Sequence, residues 1–260
     1  MCRFAAYAGP PIPMENIVTA PQNSLLAQSL NAIESKTVVN GDGFGIAWYS
    51  DGEGPGLYRD CYPAWSDANL LSLCKMVKAP IFIAHVRAST VGESARSNCH
   101  PFAQDGWAFA HNGQIGEFRK MQRHLEAQLD DRLYLARRGS TDSEVLFLLL
   151  LSHGLSDMTT AASNVIALLE KERHRQKIEA PLRLTFTLTD GHRIFAVRYA
   201  SDGRAPSLYW SSQLDNGGIC IASEPLDGQA QHWQEVPDGS CATLYRGQVE
   251  VEPLRWPRAA

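Results

Sequence analysis

No two of the six cysteines in this 260-residue chain form a Cys-x-x-Cys pair, which leaves zinc ribbons and thioredoxin-type redox motifs without support. Long apolar runs are missing too. The longest, residues 145–151, falls far short of the about 18 residues that a membrane span needs. Residues 1–9 lack the charged start and apolar block of a secretory signal. Lys and Arg never gather into a phosphate-tracking run and the formal net charge is −4, so neither nucleic acid nor a membrane is an expected partner. The densest basic patch, Arg173-His174-Arg175-Gln176-Lys177, ends a helical pattern, where cations complement the helix dipole. No internal repeat or low-complexity linker divides the sequence. These absences predict a cytoplasmic protein with reduced thiols, forming one domain over 1–260. A content of 44% hydrophobic and 20% charged residues is that of an ordinary packed globule.

What is present changes character along the chain. Residues 2–8 are apolar and aromatic and predict a strand, with Gly9-Pro10-Pro11 as its breaker. A helix is expected over 25–33 behind Asn23-Ser24. A second should start at Ser66 and run to Val77, with Leu70, Leu71, Leu73 and Cys74 inward. Residues 46–49 and 57–62 read as a hairpin around a glycine-rich turn. Residues 81–87 and 107–110 are apolar strands that each border polar residues, His85-Val86-Arg87 and His111-Asn112-Gly113. Phe118, Met121, Leu125 and Leu129 share one helical face. Thr141 and Glu144 fit a capping box before an apolar helix over 145–151 that stops at Gly154. Another helix follows over 157–173. The last third is strand-rich: 182–188 and 193–199 flank an Asp190-Gly191 turn, and 208–212, 218–222, 241–245 and 248–251 come after. Strands, then helices, then strands argue against a doubly wound parallel sheet. They predict an α+β fold of antiparallel sheets with helices outside.

The amino terminus, Met1-Cys2-Arg3, carries a possible nucleophile. Trimming of the initiator methionine, which the small cysteine permits, would place a thiol and a free α-amine on one residue. Their usual pKa values are about 8.5 and about 7.7–8.0, and an N-terminal residue activated by its own amine is a route to covalent catalysis. Taken alone, Cys2 reads as a small residue opening a buried strand. Arg87 alone reads as a surface ion pair, Asn112-Gly113 as a turn, and Asp142 as a complement to a helix dipole. Together they form a coherent chemical set. Cys2 attacks, the Asn112 amide and the Gly113 N–H donate to an oxyanion, Arg87 offers a fork for a carboxylate, and Asp142 faces an ammonium. A substrate with those three features is a γ-glutamyl compound, and glutamine is the simplest.

These residues resemble the class II (N-terminal nucleophile) glutamine amidotransferase domain. The matching motifs are Met1-Cys2, Gly41-Asp42-Gly43-Phe44-Gly45-Ile46-Ala47, His85-Val86-Arg87-Ala88-Ser89-Thr90-Val91-Gly92, Asn98-Cys99-His100-Pro101, His111-Asn112-Gly113-Gln114-Ile115 and Ser140-Thr141-Asp142-Ser143-Glu144. They run in the family's order. The resemblance implies a four-layer αββα sandwich of two antiparallel sheets, the Ntn-hydrolase type. It also implies Cys2 as nucleophile with its α-amine as base, and an oxyanion hole at Asn112 and Gly113. Arg87, Thr90 and His100 would hold the α-carboxylate end, and Asp142 the α-amine. The implied mechanism is thiolate attack, loss of ammonia, a γ-glutamyl thioester and hydrolysis to glutamate, with neither metal nor organic cofactor. Better-known members fuse this unit to a domain that uses the ammonia. The length here, and the segment Ala222-Ser223-Glu224-Pro225-Leu226, look more like the small stand-alone members of the YafJ type and the hydrolase of ergothioneine synthesis. Residue 88 is Ala where aminosugar-forming members carry Trp, which leaves backbone contacts as its expected contribution.

The leading expectation is therefore hydrolysis of glutamine or a γ-glutamyl amide, with a small molecule as partner and an ammonia-accepting protein left open. A second reading keeps the machinery but takes a larger γ-glutamyl conjugate. A third is an idle glutamine-binding sensor, although a pure binder has no use for oxyanion donors. A Cys99-His100 peptidase dyad fails on geometry, because neighbours on an extended segment point to opposite sides.

Overall fold

The computed structural model describes residues 2–34, 38–50, 52, 54–89, 94–215 and 217–255. The first third contains β1 (Arg3–Pro13), α1 (Glu15–Val18), α2 (Leu25–Leu30), β2 (Phe44–Tyr49), β3 (Gly56–Asp60), α3 (Ala68–Met76) and β4 (Lys78–Val86). The middle holds β5 (Phe102–Gln104), β6 (Trp107–Ile115), α4 (Phe118–Glu126), α5 (Asp131–Ala136), α6 (Asp142–Ser152) and α7 (Met158–Arg175). Then come β7 (Leu182–Thr189), β8 (Ile194–Ala200), β9 (Tyr209–Ser211), β10 (Ile219–Ala222), β11 (Gln234–Glu235), β12 (Ser240–Tyr245) and β13 (Gln248–Pro253).

The strands form a seven-stranded sheet, β11-β9-β10-β1-β4-β2-β3, and a six-stranded sheet, β13-β12-β8-β7-β6-β5. Every pairing among them is antiparallel. Alternation of side chains along each strand separates three cores. Ala5, Tyr7, Phe44, Ile46, Phe82 and Ala84 bury one face of the first sheet against Ile17, Leu25, Leu70 and Cys74 of α1–α3 and their flanks. Phe4, Ala6, Ala47, Ile83, Ala108, Ala110, Ala196 and Ala242 meet between the sheets, where many small side chains allow close face-to-face packing. Phe109, Leu184, Phe186 and Val197 of the second sheet pack under α4–α7. The result is the expected four-layer αββα sandwich. Helix α6 is buried on nearly every side, from Asp142 through Leu150. That explains its all-round apolar sequence. Among the described residues, no helix is long and apolar enough to cross a membrane.

Several boundaries differ from the sequence reading. Strand β1 runs through Gly9-Pro10-Pro11 instead of breaking there, with a register shift between Ala8 and Ile12 on the β4 side. Pairing with β10 has already ended at Ala8, so the prolines interrupt no ladder on that side, and the bulge absorbs the irregularity. Helix α2 stops at Leu30, three residues early, and Ile33 is exposed. Helix α3 is capped by Asp67, whose side chain accepts from the Leu70 N–H at 2.9 Å, not by Ser66. Its Leu71 faces outward. Most important, β6 does not end at Ala110. It continues through His111-Asn112-Gly113 to Ile115, paired residue for residue with β7.

Candidate active site

The site lies where β1 begins and β4 ends. Arg3 pairs with Val86 and Phe4 with His85, which sets Cys2 beside the stretch that follows β4. By the alternation that puts Phe4 and Ala6 between the sheets, the Cys2 side chain starts on that same inner face. His85, in step with Ile81 and Ile83, also faces inward, as does Asn112, in step with Ala108 and Ala110. The sheets are tied together here: His85 Nε2 lies 3.3 Å from the His111 carbonyl oxygen, across the sandwich.

Cys2 is half-buried, and its thiol donates to the Ala88 carbonyl at 3.5 Å. This is the backbone contact that an alanine at 88 leaves available. Burial pushes the thiol pKa up, the Arg87 charge opposes that rise, and the Asp142 charge adds to it. Asn112 is fully buried, and among the described residues neither its Nδ2 nor its Oδ1 has a partner. Such an orphaned amide costs stability (about 1–3 kcal/mol), so its presence asks for a ligand-side explanation. At Gly113 a Cβ would overlap the Arg183 carbonyl oxygen of β7 and stand 2.8 Å from the carbonyl carbon. Only glycine fits the strand at that point.

Arg87 is buried, and the Gly41-Asp42-Gly43 loop braces it. The Arg87 N–H donates to Gly43 O at 2.8 Å, and the Asp42 N–H donates to Arg87 O at 2.9 Å. Its guanidinium donates to Asp42 O at 3.3 Å and to Ser89 Oγ at 3.0 Å. The Asp42 carboxylate accepts from the Ser89 N–H at 2.7 Å, fixing the outgoing chain. Asp142 is buried at the start of α6. Its Oδ2 accepts from the Ile115 N–H at 2.8 Å and its Oδ1 from the Ser143 N–H at 2.8 Å. His100 is buried, with neither ring nitrogen partnered among the described residues and its ring 4.2 Å from that of His85. Burial and the neighbouring His85 hold its pKa well below the usual histidine value, so it enters the site neutral. Thr90, the remaining expected member, lies outside the described residues, as does Met1. Among the described residues, no three His, Cys, Asp or Glu side chains converge as metal ligands.

Sequence reasoning missed several supports. Arg3 is fully buried, with Nε 2.8 Å from Glu224 Oε1, and Ser223 brackets Phe4. The Phe4 N–H donates to Ser223 Oγ at 3.1 Å, and the Ser223 N–H donates to Phe4 O at 2.9 Å. The Ser223-Glu224 pair thus clamps the strand that carries Cys2. The motif at 222–226 marked the place, but nothing in it pointed to Arg3. At Gly45 a Cβ would collide with the His100 carbonyl oxygen, so the glycine of β2 admits the His100 segment to the site. His85 stood out only as a polar residue at a strand end.

Comparison with known proteins identifies the family. A family model described as class II glutamine amidotransferases matches residues 16–204. A probable glutamine amidotransferase of Saccharomyces cerevisiae, DUG3, is 31% identical over 98% of this chain and 84% of its own length. The gamma-glutamyl-hercynylcysteine sulfoxide hydrolase of Mycolicibacterium smegmatis is 25% identical, covering 98% of this chain and 100% of the relative. A solved glutamine aminotransferase class-II domain protein of Silicibacter pomeroyi superposes with a TM-score of 0.77 at 36% identity, covering 98% and 100% of the two chains. The chain belongs to the class II glutamine amidotransferase family.

Proposed function

We propose that this protein hydrolyses the side-chain amide of glutamine or of a γ-glutamyl amide, by way of a γ-glutamyl thioester on Cys2. The observation that carries the reading is the Asn112 amide, buried without a partner on the inner face that Cys2 also adjoins. Once the initiator methionine is removed, the Cys2 α-amine takes the thiol proton and the thiolate adds to the γ-carbonyl carbon. The carbonyl oxygen, now negative, receives Asn112 Nδ2–H and the Gly113 N–H. Collapse breaks the carbon–nitrogen bond, and the α-amine returns its proton to the departing ammonia or amine. Water then attacks the thioester through the same oxyanion and releases glutamate. Arg87 and His100 hold the α-carboxylate end and Asp142 the α-ammonium, so the substrate is gripped at its amino-acid end and cut at the other. Removal of one oxyanion donor typically costs about a hundred- to a thousandfold in rate, which is the weight this reading places on Asn112.

A larger leaving group is the second reading. The Mycolicibacterium relative, a γ-glutamyl conjugate hydrolase by name, aligns end to end with this chain at 25% identity. One experiment separates the cases: ammonia or amine release from glutamine and from γ-glutamyl amides of increasing size, for wild type and Cys2→Ala, with the N-terminus checked by intact mass. The expected result is turnover by protein lacking Met1 and none by Cys2→Ala. Turnover by Cys2→Ala, or by protein that retains Met1, overturns the mechanism. Calorimetric binding of glutamine without product release would make the chain a sensor.

A further inference from the structure

We infer that His111 and Ser143 are positioning residues that orient Asp142 toward the substrate's α-ammonium, so that β6 carries the oxyanion donor on one face and the prop of the ammonium site on the other. The inference rests on the γ-glutamyl reading above. His111 precedes Asn112 and therefore points the opposite way, out of the inter-sheet layer and onto the start of α6. There His111 Nδ1 lies 2.9 Å from Ser143 Oγ. The Ser143 hydroxyl donates onward to Asp142 Oδ1 at 3.3 Å, the same oxygen that accepts the Ser143 N–H. With its one hydroxyl proton turned to Asp142, Ser143 accepts from the His111 Nδ1–H. His111 Nε2 faces the Arg183 carbonyl of β7 at the longer distance of 3.4 Å. Burial lowers the His111 pKa, while the Asp142 charge and the Arg183 carbonyl oppose that fall.

The Ser143 hydroxyl is not needed to start the helix. Thr141 already caps α6, its Oγ1 accepting the Glu144 N–H at 3.2 Å. What the hydroxyl does is hold one carboxylate oxygen while the Ile115 N–H of β6 holds the other at 2.8 Å. Both props originate on β6, through His111 and Ile115, and both flank Asn112-Gly113. The separation between the amine-binding end and the carbonyl-activating end is thus fixed by one strand. Loss of the relay frees the Asp142 carboxylate to turn, which weakens a contact made equally in the ground and transition states. Such a change raises KM and spares kcat.

The test compares two substrates: the γ-glutamyl amide that the enzyme hydrolyses fastest, and the same amide lacking its α-amine (glutaramate in the case of glutamine). Ser143→Ala should raise KM for the amine-bearing substrate about tenfold, the scale of one hydrogen bond to a charged group, with kcat within about twofold. Its kcat/KM on the deaminated substrate should match wild type. Ser143→Thr, which keeps the hydroxyl, should restore KM. If Ser143→Ala folds poorly, His111→Ala against His111→Asn reads the same relay, because asparagine can replace the Nδ1 donor. Equal losses on both substrates, or a fall in kcat at constant KM, overturn the inference and leave the γ-glutamyl reading intact. A wild-type enzyme inert on every γ-glutamyl amide removes that reading, and the relay's role with it.

Discussion

Replacement of Asn112 by leucine should abolish activity and stabilise the protein at the same time. The two side chains branch at the same atom and have nearly the same shape, so the substitution exchanges an amide for two methyl groups without opening a cavity. Asn112 is 0% exposed, and both its polar atoms lack partners among the described residues. An unsatisfied buried polar group costs about 1–3 kcal/mol, and each methyl gains by staying dry. Slight overpacking by the larger methyl groups offsets part of this. A net gain of about 1–2 kcal/mol corresponds to a rise in melting temperature of about 2–4 °C for a chain of this size. The same change removes the proposed oxyanion donor, a loss of about a hundred- to a thousandfold in kcat on that reading. Scanning calorimetry and an ammonia-release assay on one preparation measure both. A melting temperature that falls with the activity would mean that the amide serves the fold, and the oxyanion argument would lose its main support.

Gly113→Ala should also destroy activity, but with the opposite effect on stability. The added Cβ meets the β7 backbone, which cannot swing aside as a side chain can, so a cost of about 3 kcal/mol or more is expected. A melting temperature within about 2 °C of wild type would show that the strands part easily. Acid should destabilise the fold through the histidines between and beside the sheets. Burial holds His85 at about 3, with His100 and His111 lowered as well, whereas unfolded histidine titrates near 6.5. Below about pH 6.5 the unfolded chain therefore binds protons that the folded chain refuses. Stability should be complete above that pH and fall by up to about 1.4 kcal/mol per pH unit for each histidine as the pH drops toward the folded values. Urea titrations from pH 7.5 to pH 5 measure this slope, and His100→Gln should reduce it by about one proton. An unchanged slope in that variant would place His100 in a solvated, ordinary environment.

The layers of the fold were readable because the strands alternate so regularly. Phe4-Ala5-Ala6-Tyr7 and Ile81-Phe82-Ile83-Ala84 assign their faces almost by inspection. The polar set at Cys2, Arg87, Asn112, Gly113 and Asp142 is an expectation that the sequence alone supplies, from the donors and charges that a γ-glutamyl substrate needs. The state of Asn112-Gly113 was not. Both residues favour turns, yet the ladder with β7 keeps them extended, and the requirement for glycine comes from a carbonyl seventy residues away. The proline-containing half of β1 was hidden for a related reason: whether a missing N–H matters depends on which neighbour is absent. Helix α2 shortens because Glu224 takes the N–H groups of Ile33 and Glu34 at 3.1 and 2.9 Å. That event is invisible until the two ends of the chain meet. The Arg3–Glu224 pair is the extreme case, since no local pattern announces a partner so distant in sequence.

That pair also sets an order of events in time. The residue proposed as nucleophile leaves the ribosome well before the segments that its strand closes against, Ile219–Ala222 and Glu224. At about 5–20 residues per second, the interval is on the order of ten to forty seconds. Throughout it the amino terminus has no finished enclosure and stays open to a processing enzyme. The proposed oxyanion donors cannot yet be aimed at anything that the thiol holds. A protein built this way keeps its proposed site unassembled during synthesis and closes it only when β10 and Glu224 reach β1.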